Sequence, residues 1–278
     1  MPSDAEQLLA AGEPAQALAM LQAQVRREPA DVKLRIFLFQ LLCVLGQWPR
    51  AATQLEVCGE LDAGTLAMVN TYREALKCEL VREAVFAGKT TPMVLGQPQE
   101  WVAWLVEALQ ADARGDAAAA ARLRAQAFEL APATSGIANG EPFDWIADAD
   151  SRLGPLLETI VNGRYCWVPF SALTQLDAEP PEDLRDFVWA PVHLRFANGG
   201  DSVALVPTRY PGVTGDSASL ELMARSTEWD ALAAGQYAGR GQRLFATSGA
   251  EIGLLALREL VLDASPFVTA SNTAAGAA

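Results

Sequence analysis

Asp148 and Asp150, with Arg152 two residues on, are the side chains in this sequence best spaced to do chemistry. Alternating carboxylates can hold a divalent cation while a nearby arginine holds phosphate, the basis of a metal-dependent hydrolase. That chemistry needs a phosphate-cradling glycine loop and further acidic ligands, and no such motif accompanies the pair. The preferred reading is structural: the aspartates cap a helix beginning near Ser151, or bind Arg152, Arg164 or Arg209. His193 is the single histidine, so any triad or imidazole-ligated metal must run through it, and neither a G-x-S-x-G elbow nor an H-E-x-x-H helix is present. Cys166 lies between Tyr165 and Trp167, whose rings would raise a thiol pKa rather than lower it. Cys43, Cys58, Cys78 and Cys166 form no C-x-x-C pair, which argues against structural zinc and for buried free thiols in a reducing compartment. No catalytic, cofactor-binding or metal-binding residue is assigned.

A second group mixes planar donors with large rings: Arg164, Tyr165, Trp167, Arg209, Tyr210, Arg225, Trp229 and Arg243. Arginine and aromatic residues are favoured at protein interfaces. They also build buried cation–π and Arg–carboxylate networks inside small domains, and that role is given slight preference.

Composition narrows the partners. The 278 residues suffice for two domains, and 51% apolar with 20% charged residues is ordinary for a folded chain. A net charge of −13 leaves no surplus of cations for phosphates or anionic lipid, so nucleic acid and bare membrane are poor partners. The longest apolar stretch, 36–45, is far too short to cross a bilayer, and residues 1–6 lack the basic start of a secretory signal.

The elements that must position these side chains begin with a repeat. Gly12, Ala17, Leu21 and Pro29 recur 34 residues later as Gly46, Ala51, Leu55 and Ala63, and Gly115, Ala120, Ala127 and Pro132 form a looser third copy. This is the tetratricopeptide period. A small residue ends the first helix of each hairpin, and alanine in the second lets the backbones approach. Arg124 stands where the third copy should carry a large apolar residue. Such hairpins stack, and their inner helices line a concave surface suited to a peptide or helix. In that register the inward face presents Lys33, Ile36 and Gln40 in the second repeat and Val102, Leu105 and Leu109 in the third; the apolar members are equally what a core would use. Residues 66–86 read as one long helix, 88–98 as a loop, and Trp101 and Trp104 open the next helix.

After Pro132 the signals are mostly strands. The expected division is a helical-repeat domain over 1–133, an α+β domain over 134–263 and a disordered tail over 264–278. Strands are expected over 164–170 and 186–196, the latter with Val192, Leu194 and Phe196 on one face, His193 and Arg195 on the other. Asn198-Gly199-Gly200 turns into a partner strand over 203–206. Residues 219–232 are expected to be helical, and 242–247 followed by Ser248-Gly249-Ala250 favours a hairpin over a helix at 251–262, because Gly253 would weaken the helix.

The segment 143–170, FDWIADADSRLGPLLETIVNGRYCWVPF, resembles the signature of the ImpE/SciE/TagJ family of type VI secretion accessory proteins. PEDLRDFVW at 181–189, PTRYPG at 207–212, RSTEW at 225–229 and GQRLFAT at 241–247 follow in the family's order. Trp145, Asp148, Asp150, Arg152, Arg164, Tyr165, Trp167, Arg209, Tyr210, Arg225, Trp229 and Arg243 fall on signature positions. The resemblance implies an N-terminal α-α superhelix joined to a small C-terminal α+β domain with a mainly antiparallel, strongly bent sheet. It implies a cytoplasmic protein without enzymatic activity, bound to a helix near the N-terminus of the sheath small subunit and linked to sheath recycling by a ClpV-type ATPase. A general repeat chaperone for another client is the alternative in the same binding class.

Overall fold

Three glycines close three helical hairpins with one geometry. In the computed structural model, which describes residues 4–97, 99–213 and 215–263, Gly12, Gly46 and Gly115 take φ of 79°, 65° and 79°. The residue after each glycine donates its amide five residues back, Glu13 to Leu8, Gln47 to Leu42 and Asp116 to Ala111. Glycine terminates the first helix because a Cβ is strained at positive φ. The hairpins are α1 (Asp4–Ala10) with α2 (Pro14–Arg27), α3 (Val32–Val44) with α4 (Trp48–Leu61), and, beyond the long α5 (Leu66–Phe86), α6 (Glu100–Ala113) with α7 (Ala117–Leu130). Ala17, Ala51 and Ala120 are fully buried, as close helix approach requires. Arg124, in the place of Leu21 and Leu55, is also buried: it pairs with Asp112 at 2.6 Å and bonds Gln236 of the second half.

Helix gives way to strand between Leu130 and Gly136. The strands are β1 (Met93–Val94), β2 (Gly136–Ala138), β3 (Glu141–Phe143), β4 (Ile146–Asp148), β5 (Leu156–Val161), β6 (Arg164–Pro169), β7 (Leu173–Ala178), β8 (Trp189–Phe196) and β9 (Asp201–Pro207). After the short helix α8 (Ser219–Leu222) come β10 (Thr227–Ala231), β11 (Tyr237–Gly241), β12 (Leu244–Thr247), β13 (Glu251–Gly253) and β14 (Glu259–Leu262). The main sheet runs β1-β6-β5-β9-β8-β7-β14-β2-β3 and is antiparallel except for the β1–β6 pair. β13-β12-β4 and β10-β11 form two smaller sheets. Val192 and Leu194 face the core, and β8 returns through Gly199 into β9 as its spacing demands.

Four expectations need correction. The segment 88–98 contains Met93–Val94, which pairs with Cys166 and Trp167 at the open edge of β6, a tertiary partner that local propensity does not show. The helix expected over 219–232 stops at Leu222; Ala224 turns to φ 51° and Thr227–Ala231 pairs with β11. The strand expected from residue 186 begins at Trp189, because Asp183 and Asp186 form a capping box around a 3₁₀ turn at Leu184–Phe187. No helix starts near Ser151; residues 151–153 are a turn. At 251–262 the hairpin forms, β12 against β13, with β14 beyond it. The tail 264–278 lies outside the described residues.

One apolar cluster crosses the junction. It begins at Leu9 and Leu21, runs through Phe39, Leu55, Tyr72 and Leu105, and includes Leu153, Leu156, Trp167 and Trp189 of the sheet region. Tyr72 of α5 stacks on Trp189 with ring centroids 5.8 Å apart, and Phe86 on Trp167 at 6.1 Å.

Candidate partner-binding site

The buried charges come first, because they decide which polar residues are free to bind anything. Glu158 interrupts the apolar run of β5 and is fully buried. Arg82 of α5 clasps it with Nε at 2.5 Å and Nη2 at 3.1 Å, Arg243 reaches it from the strand side, and Tyr165 donates its hydroxyl at 2.6 Å. Burial alone would raise this carboxyl, but Arg82 and Arg243 outweigh it and hold Glu158 down at about 2. Arg82 also pairs with Glu79, which accepts the Trp189 indole N–H at 2.7 Å.

Asp148 and Asp150 join the same network. Asp148 binds Arg243 and accepts the Tyr210 hydroxyl at 3.1 Å; Asp150 binds Arg152 at 2.5 Å and accepts the Gly239 amide at 2.9 Å. Burial pushes Asp148 up to about 7 against the pull of Arg243. Of the structural roles expected for the pair, binding to Arg152 is present; helix capping is not, Arg164 is exposed, and Arg209 bonds only carbonyls. With both carboxylates sealed and tied to arginines, the geometry does not offer a cation the open pair that a hydrolase would use, and no group of three or more His, Cys, Asp or Glu able to hold a metal occurs among the described residues. Burial raises the Cys166 thiol, and His193 on β8 sits 3.6 Å from Asp201 across the hairpin.

Two signature arginines do matching work on the repeats. Arg209 donates to the carbonyls of Val44, at 2.6 Å, and Cys43, at the end of α3; Arg225 reaches the carbonyl of Ala10, at 3.4 Å, at the end of α1. Ala10 and Val44 are one repeat period apart. Cations suit helix C-termini because the last carbonyls are unpaired and carry partial negative charge. Arg209 is buried and meets no carboxylate among the described residues, and burial lowers its pKa to about 10; Arg225 is exposed.

The open site lies beside these caps. A groove of 580 Å³ is floored by Leu9, Ile36 and Phe37 and lined along α3 by Lys33 and Gln40; Leu184, Phe187 and Arg225 form its other wall. Lys33 is exposed, Ile36 half-buried and Gln40 6% exposed. The sequence-predicted face of the second repeat is therefore brought to a groove. That of the third is not: Val102, Leu105 and Leu109 are 3%, 1% and 2% exposed and belong to the core. α6 packs inward here, and only Val102 borders a separate cavity, 460 Å³, against the loop carrying β1. Trp145 and Trp229 are partly exposed, Trp229 stacked on Tyr210 at 5.7 Å.

Sequence reasoning missed Glu79, Arg82 and Glu158, the centre of the network. A lone glutamate in LLETIV was the available signal. It also missed Leu184 and Phe187 as a groove wall, although both lie in the PEDLRDFVW segment.

Helical hairpins of tetratricopeptide type are locked by buried charges onto a largely antiparallel sheet, and a mixed groove along α3 lies at their junction. Residues 8–68 match the tetratricopeptide repeat model, and residues 140–261 match the ImpE protein model. The type VI secretion system accessory component TagJ of Pseudomonas aeruginosa is 54% identical over 256 residues, 92% of this chain and 90% of that protein. The crystal structure of a Vibrio parahaemolyticus protein superposes with a TM-score of 0.86 at 25% identity, covering 95% of this chain and 98% of that one. The chain belongs to the ImpE/SciE/TagJ family.

Proposed function

We propose that this protein is a non-enzymatic, cytoplasmic accessory component of a type VI secretion system that receives a helix near the N-terminus of the sheath small subunit in the α3 groove. Through that contact it is linked to recycling of contracted sheath by a ClpV-type ATPase. The observation that carries the accessory role is the 54% identity to the P. aeruginosa accessory component across nearly the whole of both chains. The groove supports the binding mode: an apolar floor of Leu9, Ile36 and Phe37 with polar rims is what an amphipathic helix requires. The sequestered Asp148 and Asp150 support the absence of hydrolase chemistry. Among the described residues no helix is long and apolar enough to cross a membrane.

Co-purification with the sheath small subunit, intact and lacking its N-terminal helix, tests the proposal. The intact subunit is expected to be retained and the truncated one lost. Ile36→Asp should abolish retention while the protein still melts cooperatively; undiminished retention by that variant would remove the groove from the mechanism.

A further inference from the structure

The described chain ends beside an apolar cavity. It lies where the end of α7 meets β4, is 300 Å³ in volume, and is walled by Phe128, Pro132, Trp145, Ile146 and Pro155. Its one ionisable lining side chain, Asp148, is buried and tied to Arg243. Phe128 is held against Gly154, where an added Cβ would meet the ring at 2.3 Å, and both Phe128 and Trp145 keep open ring surface. Trp145 is a signature residue that neither the charge network nor the α3 groove uses. The last strand is aimed at this cavity. β14 pairs with β2, Val261 opposite Ile137 and Leu262 opposite Gly136. Asp263 continues the pairing: it donates its amide to the Ser135 carbonyl at 2.9 Å and accepts from the Ser135 hydroxyl at 2.8 Å. In an antiparallel ladder each step forward on one strand is a step back on the other. Carried on, the same register places residues 265, 266 and 267 opposite Ala133, Pro132 and Ala131, all of which line the cavity. Four extended residues beyond Asp263 span roughly 13 Å. Residues 264–278 lie outside the described structure; their sequence carries no charge, and its large apolar side chains are Phe267 and Val268, directly after Pro266.

We propose that the cavity between α7 and β4 is the docking site of the chain's own Pro266-Phe267-Val268, with the Phe267 ring seated against Phe128 and Trp145 as a strap across the two halves of the molecule. The segment brings no ion to desolvate, and the cavity offers it two aromatic faces. The strap adds an apolar fastening to the buried charges and gives Trp145 a role. It is independent of the α3 groove and of any partner bound there.

4-Fluorophenylalanine placed at position 267 of the full chain would report on the strap by fluorine NMR. Its resonance is expected well away from that of the same residue in a short free peptide, and Trp145→Ala should return it there while the protein still unfolds cooperatively. In unlabelled protein, Phe267→Ser should speed amide exchange about tenfold in 131–134 and 145–149 and leave 156–161 unchanged. A free-peptide resonance in the parent protein, a displaced resonance that Trp145→Ala does not move, or exchange indifferent to Phe267→Ser would overturn the inference. A displaced resonance that collapses to the free-peptide position on dilution would overturn it as well, by making the occupant the segment of a second copy.

Discussion

The sealed network around Glu158 and the open groove along α3 both use arginine where the two halves of the molecule meet, and do opposite work. In the network each guanidinium meets carboxylates or carbonyls away from water, so its donors are spent within the fold. In the groove, Lys33 and Arg225 face solvent without ion pairs among the described residues. The buried signature residues in this fold therefore mark how two halves are fastened together, and binding capacity has to be sought where charge is left unspent. Arg209 and Arg225 put the contrast in miniature: equivalent helix ends, one cap buried and the other accessible.

The contrast can be sharpened by stability measurements, beginning with the strongest. Glu158→Ala leaves Arg82 and Arg243 buried without their shared partner and should cost about 3–5 kcal/mol in denaturant unfolding. A loss under about 1 kcal/mol would mean that the network does not hold the halves together. Acid should expose the same carboxylate. Its folded pKa of about 2 lies below the ordinary 4.5, so its stabilisation is present above pH 4.5 and is lost as pH falls through 2. The stability gap between wild type and Glu158→Gln should narrow by about 3 kcal/mol between pH 5 and pH 2, and a constant gap would contradict an ionised Glu158. Asp148 carries the opposite sign: with its pKa raised to about 7, its contribution is greatest below pH 4 and fades as pH rises through 7. Asp148→Asn should flatten that arm of the pH–stability curve. The smallest effects separate the two caps. Arg209→Ala strands buried carbonyls and should cost about 2–3 kcal/mol, whereas Arg225→Ala should cost about 0.5 kcal/mol or less. Equal losses would erase the distinction between fastening and docking.

The helical half was legible because its rules are local. A 34-residue period, glycine at each first-helix end and alanine at each close approach fixed the hairpins, and residues 66–86 proved to be one helix. What failed was long-range. Met93–Val94 became a strand only because β6 offered an edge, and Thr227–Ala231 only because β11 lay opposite. Leu105 and Leu109 carry the inward pattern of a repeat, but α6 turns that face into the core rather than the groove. Glu79 and Arg82 sit one helical turn apart on an unremarkable helix, and nothing local announces that they meet Glu158, 76 residues beyond Arg82.

Hydrogen exchange on the full chain, with and without the N-terminal helix of the sheath small subunit, tests the central claim most directly. Binding should slow amide exchange in residues 33–40 and 181–187 and leave 156–161, already sealed in the sheet, unchanged. Protection confined to other surfaces, or none at saturating peptide, would contradict the account of the α3 groove as the docking site.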